Sequence, residues 1–162
     1  MSTQTDTLKL FVGYDLNFTE RAQPLVSSQL QAYRLEGPLN VQALEESLNF
    51  VVARHEILRT CFRADQGQPF QVVAPVLHVL LPIIDLRTMP AAARTTAGLQ
   101  IAREEAQRCF DLTQHPLLRT LLVKLRDEEH LLILTVHQMV CDGWSTGILV
   151  SELWTSYDAI RR

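Results

Sequence analysis

The chain has 162 residues, of which 47% are hydrophobic and 20% charged, with a net charge of −3. That is room for one domain around one core, and it excludes both a disordered chain and a pair of ordinary domains. Lysines and arginines are spread along the sequence, which excludes the concentrated basic surface that nucleic acid or an anionic membrane requires. Cys61, Cys109 and Cys141 show no metal-ligand spacing, so no metal site and no disulfide framework are expected, and a reducing compartment is favoured. The start of the chain lacks a basic region followed by an apolar run, and no apolar stretch reaches spanning length. A soluble cytoplasmic protein is therefore expected.

Residues 1–7 are polar and expected to fray, within an N-terminal segment placed at residues 1–24. LKLFVGY and QLQAYRLEG alternate as strands do, the second stopped by Gly37-Pro38. Asn40 is placed to cap a helix, and Val41, Leu44, Leu48, Val51 and Val52 recur at helical spacing through VQALEESLNFVVARHE. RTCFRADQGQPFQVV predicts two strands about a turn at Asp65-Gln66-Gly67. VLHVLLPIIDL predicts a further extended segment, which Pro82 assigns to a sheet edge.

Pro90 opens an alanine-rich helix that is expected to run to about residue 109, with Ala93, Ala97, Ile101 and Glu105 on or bordering one face. In TLLVKLRDEEHLLILTVHQ two apolar runs flank a charged turn. The second run is continuously apolar, which predicts a hairpin whose returning strand is buried on both faces. Leu149, Leu153, Tyr157 and Ile160 then define one side of a closing helix that starts near Ser145.

Three segments share a pattern beyond their periodicity. RHEILRTCF (54–62), FDLTQHPLLR (110–119) and HQMVCDGWS (137–145) resemble, in order, the RHExLRTxF, FDLxxGPLLR and HHxxxDGWS segments of the condensation domains of nonribosomal peptide synthetases. These belong to the chloramphenicol-acetyltransferase-like acyltransferases. Three segments in the right order are more specific than one short loop. The resemblance covers roughly residues 25–162 and implies an α/β (α+β) two-layer sandwich, a mixed sheet with helices on one side. It further implies that these residues form the N-terminal one of two similar lobes, with a tunnel for two carrier-bound substrates between them.

The sequence departs from the family pattern in several places. Gln138 stands where the family has its second, catalytic histidine, and His115 stands where glycine is usual. SSQLQAYRL resembles the family's N-terminal helix motif, but it runs straight into GPLN and so belongs to a strand. The sequence stops after the helix that follows the loop, so a single lobe, without the family's second, is expected within it.

The resemblance assigns chemistry to positions. In the family an aminoacyl thioester's amine attacks an acyl or peptidyl thioester, and the histidine at the position of Gln138 takes up the proton. A carboxamide can donate or accept a hydrogen bond but cannot be protonated near neutrality, so a general-base contribution on the order of 10² to 10⁴ in rate is expected to be lost. If residue 138 continues the strand and faces the tunnel, His137 faces the interior and is structural. Asp142 is by resemblance the loop's structural acid, expected to pair with Arg59 or Arg54; by itself it reads as a turn aspartate.

Gly143 suits a positive φ or a close approach, its amide turned toward a developing oxyanion, or it is simply a loop glycine before a helix. His55 is expected to be a hydrogen-bonded packing residue, Trp144 a packing anchor and Ser145 the helix cap. His78, His115 and His130 show no partner pattern, and Cys141, beside an acid, is not expected to act as a nucleophile.

No cofactor is expected on the chain itself, since its substrates would arrive on the phosphopantetheine arms of peptidyl carrier proteins. Further expected partners are a second condensation lobe or a homodimer partner, and a tailoring enzyme if the domain serves as a non-catalytic docking module. A coenzyme A-dependent acyltransferase of the same superfamily is a third reading, and it would lack a base for the same reason.

Overall fold

The structure is a computed structural model that describes residues 8–14 and 28–162. The expectation that residues 1–7 fray lies outside these. In chain order the elements are β1 (Lys9–Tyr14), β2 (Ser28–Glu36), α1 (Val41–Arg54), a 3₁₀ turn (Glu56–Arg59), β3 (Thr60–Asp65), β4 (Gln68–Val73), β5 (Ile83–Asp85), α2 (Ala91–Gln107), β6 (Leu118–Arg126), β7 (Glu129–His137) and α3 (Gly143–Ile160). Among the described residues, five strands form a mixed sheet in the order β1-β2-β7-β6-β5, in which only the β5–β6 pair is parallel. β3 and β4 form a separate two-stranded ribbon.

The strongest sequence signal sits at the centre of this sheet. The first eight residues of β7 are all buried, between β2 on one side and β6 on the other. Because successive side chains of a strand point to opposite faces, Leu132, Leu134 and Val136 go to one face and Leu131 and Ile133 to the other. The first set packs with α1 and α3, through Leu44, Leu48, Val51, Leu149, Leu153 and Tyr157. The second packs with α2, through Ala102 and the half-buried Ala97 and Ile101. At roughly 1.5–3 kcal/mol for each fully buried large apolar side chain, the two clusters account for most of what holds the sheet between its helices.

The mixed α/β class is as expected, but the two-layer arrangement with helices on one side is corrected: α2 covers the face opposite to α1 and α3. The physical reason is β7 itself, since a strand that is apolar on both faces needs cover on both. The sheet also reaches into the segment set apart as residues 1–24, because β1 pairs with β2 from Lys9↔Glu36 onward.

Local chemistry explains the element boundaries. Asn40 caps α1, its side-chain oxygen accepting the Ala43 amide at 3.0 Å. The ribbon turns at Gln66 and Gly67, both at positive φ (47° and 81°), which suits the twist of a two-residue hairpin. The segment expected to be extended from Val76 to Leu86 forms a strand only at Ile83–Asp85, on the sheet edge that Pro82 predicts. Upstream, α1 holds the chain through side chains. Asn49 accepts the Val79 amide at 2.7 Å and donates to the Val79 carbonyl at 2.9 Å, and Glu45 accepts the Leu81 amide at 3.0 Å.

In α2 the most buried positions are Gly98 and Ala102, one residue on from the predicted stripe. A Cβ at Gly98 would come within 3.3 Å of the Leu125 side chain, so this is where helix and sheet approach closely. In α3, Leu149, Leu153 and Tyr157 are buried as expected, but Ile160 is 39% exposed at the helix end.

Candidate functional site

The site follows from how β7 ends. His137 is its last residue; the Val140 amide donates to the His137 carbonyl at 3.0 Å and turns the chain back through residues 138–140. Val140 and Cys141 are buried and pin the far side of the turn, while Gln138 and Met139 are exposed. Gln138 is thus a turn residue. The expected strand alternation between positions 137 and 138 stops one residue earlier, at the Val140 hydrogen bond.

His137 is half-buried, and its Nδ1 accepts the Met139 amide at 3.2 Å. An amide N–H only donates, so the ring carries its proton on Nε2. Burial pushes its pKa below the ordinary imidazole value. A neutral ring with Nδ1 engaged has no free lone pair to offer an amine, and protonating it would break the Met139 contact. On its other side the ring meets Phe110 edge-on, centroids 6.0 Å apart at 84°. The Arg119 guanidinium carbon lies 3.9 Å from the Phe110 centroid.

Asp142 is the N-cap of α3. Its backbone is extended, its Oδ1 accepts the Ser145 amide at 2.7 Å, and its carbonyl accepts both the Thr146 amide at 2.9 Å and the Thr146 hydroxyl at 2.8 Å. The Ser145 hydrogen bond holds the Asp142 carboxyl below the usual carboxylate range. Among the described residues Asp142 forms no ion pair, which corrects the expected partnership with Arg59 or Arg54.

Arg59 is buried and donates to backbone carbonyls of Ala53, Ala74 and Pro75, fastening the segment after β4 to the end of α1. Arg54 pairs with Glu152 at 3.4 Å. An aspartate can cap a helix terminus or pair with a cation, so a sequence offers two explanations for the same letter.

The remaining expectations divide. His55 holds Glu152 Oε2 at 2.6 Å, so Glu152 of α3 bridges both residues at the C-terminal end of α1. Ser145 is not the cap; it supplies the amide that the cap accepts. Trp144 is not a packing anchor, being 82% exposed. Gly143 is the first residue of α3, with open space where a Cβ would be, and among the described residues the glycines at positive φ are Gly37 and Gly67. His115 reaches the Val72 carbonyl at 3.1 Å, a tie to β4 that glycine would lack, and His78 lies 3.5 Å from Glu45. The Cys141 thiol is pushed up by burial, away from nucleophilic character.

Beside the turn, a cleft of about 150 Å³ is lined by His55, Ile57, Leu58, Val140, Ile148 and Leu149, with Cys141 and Ser145 completing it. An open hollow adjoins it across Ile148 and includes Trp144 and Glu152. The first and third quoted segments therefore meet at one surface. The second meets the same turn from elsewhere, through Phe110 and Arg119, which the sequence singled out only as letters of a pattern. Glu152 and Thr146 were missed, since a polar residue within an amphipathic helix carries no signal of its partner.

Residues 22–162 match the family described as Condensation domain. The chain is 41% identical over 145 residues to the phosphinothricin tripeptide synthetase PhsC of Streptomyces viridochromogenes, covering 88% of this chain and 13% of that protein. Among solved structures it is similar to the SgcC5 protein from Streptomyces globisporus, with TM-score 0.77 and 26% identity over 92% of this chain and 33% of that one. It is also similar to a chain in the complex of the X-domain and OxyB from teicoplanin biosynthesis, with TM-score 0.71 and 32% identity over 90% of this chain and 30% of that one. The 162 residues thus span a third or less of each of these proteins. The turn after β7, the α3 N-terminus capped by Asp142, the neighbouring RHEILRTCF segment and the match over residues 22–162 agree: this chain belongs to the condensation-domain family of nonribosomal peptide synthetases.

Proposed function

We propose that this chain is the N-terminal portion of a condensation domain acting on thioesters held by carrier proteins, and that its own contribution to amide formation lacks a titrating base. The observation that carries this reading is the exposed Gln138 at the turn, next to a His137 whose Nδ1 is occupied and whose burial keeps it neutral. In the reaction an amine nitrogen bonds to the thioester carbonyl carbon, the C–S bond breaks, and a thiol leaves. The proton lost by nitrogen must reach the sulfur or the solvent. Gln138 can orient the amine through its amide but cannot carry that proton. An α-amine of pKa about 8 is partly neutral already, so positioning alone sustains slow aminolysis in a complete domain.

The test is single-turnover amide formation in the full-length protein between carrier-bound acyl and aminoacyl thioesters. Gln138→His is expected to raise the rate by about 10² to 10⁴. An unchanged rate, with substrates still bound, would sink the proposal.

A second reading is favoured by the same glutamine together with the likeness to an X-domain solved in complex with OxyB. In it, the fold serves to dock a carrier protein or a tailoring enzyme and does no chemistry. Titration calorimetry with loaded carrier domains and with such enzymes separates the two. Binding to an enzyme, with no turnover even after Gln138→His, selects docking.

A further inference from the structure

The turn that carries Gln138 is set by more than its own hydrogen bonds. His137 lies between two restraints: the Met139 amide on Nδ1 at 3.2 Å and the Phe110 ring, edge-on at 6.0 Å and 84°. Phe110 is in turn covered by Arg119, whose guanidinium carbon is 3.9 Å from the ring centroid. Arg119 is itself immobilised. Its Nε meets Glu105 Oε2 at 3.1 Å, and its Nη2 donates to the carbonyls of Glu105 at 3.0 Å and Arg108 at 2.9 Å. A planar cation fixed at three points presses on one face of the phenyl ring, while the ring's electron-rich face and hydrogen-bearing edge constrain its neighbours in different directions. The end of α2, the FDLTQHPLLR segment and the last residue of β7 thus form one stack.

We propose that Phe110 is a positioning residue for the turn: backed by Arg119, it holds the His137 imidazole in one orientation, from which Nδ1 accepts the Met139 amide, and so fixes where residues 138–140 lie. A free imidazole can turn over about its Cβ–Cγ bond and exchange the places of its nitrogens and carbons. The stack removes that freedom, and the Met139 amide then reads a single tautomer. The charged groups that make up this stack are Arg119 on β6 and Glu105 and Arg108 at the end of α2; the depressed His137 pKa has burial as its cause. The proposal rests on the functional reading only in taking this turn as the edge that meets substrate.

The experiment is ¹⁵N NMR of histidine-labelled chain, with the His137 signals identified by their loss in His137→Gln. The wild-type chain is expected to show one Nε2–H tautomer for this residue and titration below the ordinary imidazole range. Phe110→Leu, which keeps apolar volume without the ring, is expected to give a mixture of tautomers and a pKa moved up toward the ordinary value. Phe110→Tyr is expected to restore the single form. Arg119→Met, which keeps the side-chain stem without the cation, is expected to shift His137 in the same direction by less, and it stands in if Phe110→Leu does not fold.

A His137 tautomer and titration unchanged in whichever of the two folds would overturn the proposal. No carrier protein or amine enters this measurement. Its failure would therefore leave the functional reading intact, and a silent Gln138→His would leave this stack intact.

Discussion

Two residues in the 137–145 segment show how far a side chain's chemistry can be inferred before its neighbours are known. That the Gln138 side chain does not take up a proton near neutrality follows from the residue type alone, because no environment makes a carboxamide titrate there. The role of Asp142 does not, because an aspartate before glycine serves equally as a cap or as an ion-pair partner. The structure assigns it to the cap, and the two roles predict different variants. Asp142→Asn keeps an equally good cap and is expected to leave the thermal midpoint nearly unchanged, whereas Asp142→Ala is expected to lower it by roughly 2–4 °C. If Asn were as harmful as Ala in differential scanning calorimetry, charge and not capping would be the operative property.

His130 makes a separate case at the same scale. It is buried, its Nδ1 has no partner among the described residues, and burial together with the Lys124 and Arg87 charges pushes its pKa down to about 4. Its folded pKa thus lies below the unfolded value of about 6.5, so the unfolded chain binds the proton first. Stability is unaffected above that value and falls as pH drops from about 6.5 toward 4, by roughly 2 kcal/mol once solvent screening is allowed for. Urea midpoints at pH 7 and pH 4.5 should show this slope in the wild type and a flatter one in His130→Leu. Asp85, held at about 2 by Arg87, loses its contribution only at more acid pH and does not mask the effect.

Among the elements, those that announced themselves were the ones whose burial leaves an apolar period or an unbroken apolar run in the sequence. β7 was legible because an unbroken apolar run of its length has to be covered on both faces. The same fact, followed to its end, implies helices on both faces and removes the two-layer arrangement. α1 was legible through Asn40 and its apolar spacing. The segment around Val79 and Leu81 was not, since Asn49 and Glu45 hold it, and such side-chain ties leave no period to detect.

The face of α3 was legible except at its last turn, and this difference is measurable. Leu153 is fully buried between α1 and the sheet, so Leu153→Ala is expected to cost about 2–5 kcal/mol in equilibrium denaturation. Ile160→Ala is expected to stay within about 0.5 kcal/mol, as for an exposed position. Equal costs would mean that the helix end packs as its spacing suggests.

For the molecule as a whole, some of the apolar residues that found no place in either core lie beside the turn. Trp144, Ile148 and Ile57 are exposed and border the cleft and the hollow that adjoins it. Contiguous exposed apolar surface, unlike a single exposed side chain, marks a partner surface. The 162-residue chain on its own is expected to enhance the fluorescence of an apolar dye, and Trp144→Ser with Ile148→Ser is expected to remove most of that signal without lowering the thermal midpoint. Dye binding that persists in the double variant would place the exposed surface elsewhere, for instance around Val76, Leu80 and Ile83.

The hydroxyl of Tyr157, near the end of α3, accepts the backbone amide of Asn40 at 2.9 Å, the same residue whose side chain starts α1. One contact therefore joins the tail of one helix to the head of another, 117 positions apart in the chain. Amide protons in these two helices should exchange with deuterium at a common rate, opening and closing together. Those of α2, anchored across the sheet in a different cluster, keep a clock of their own.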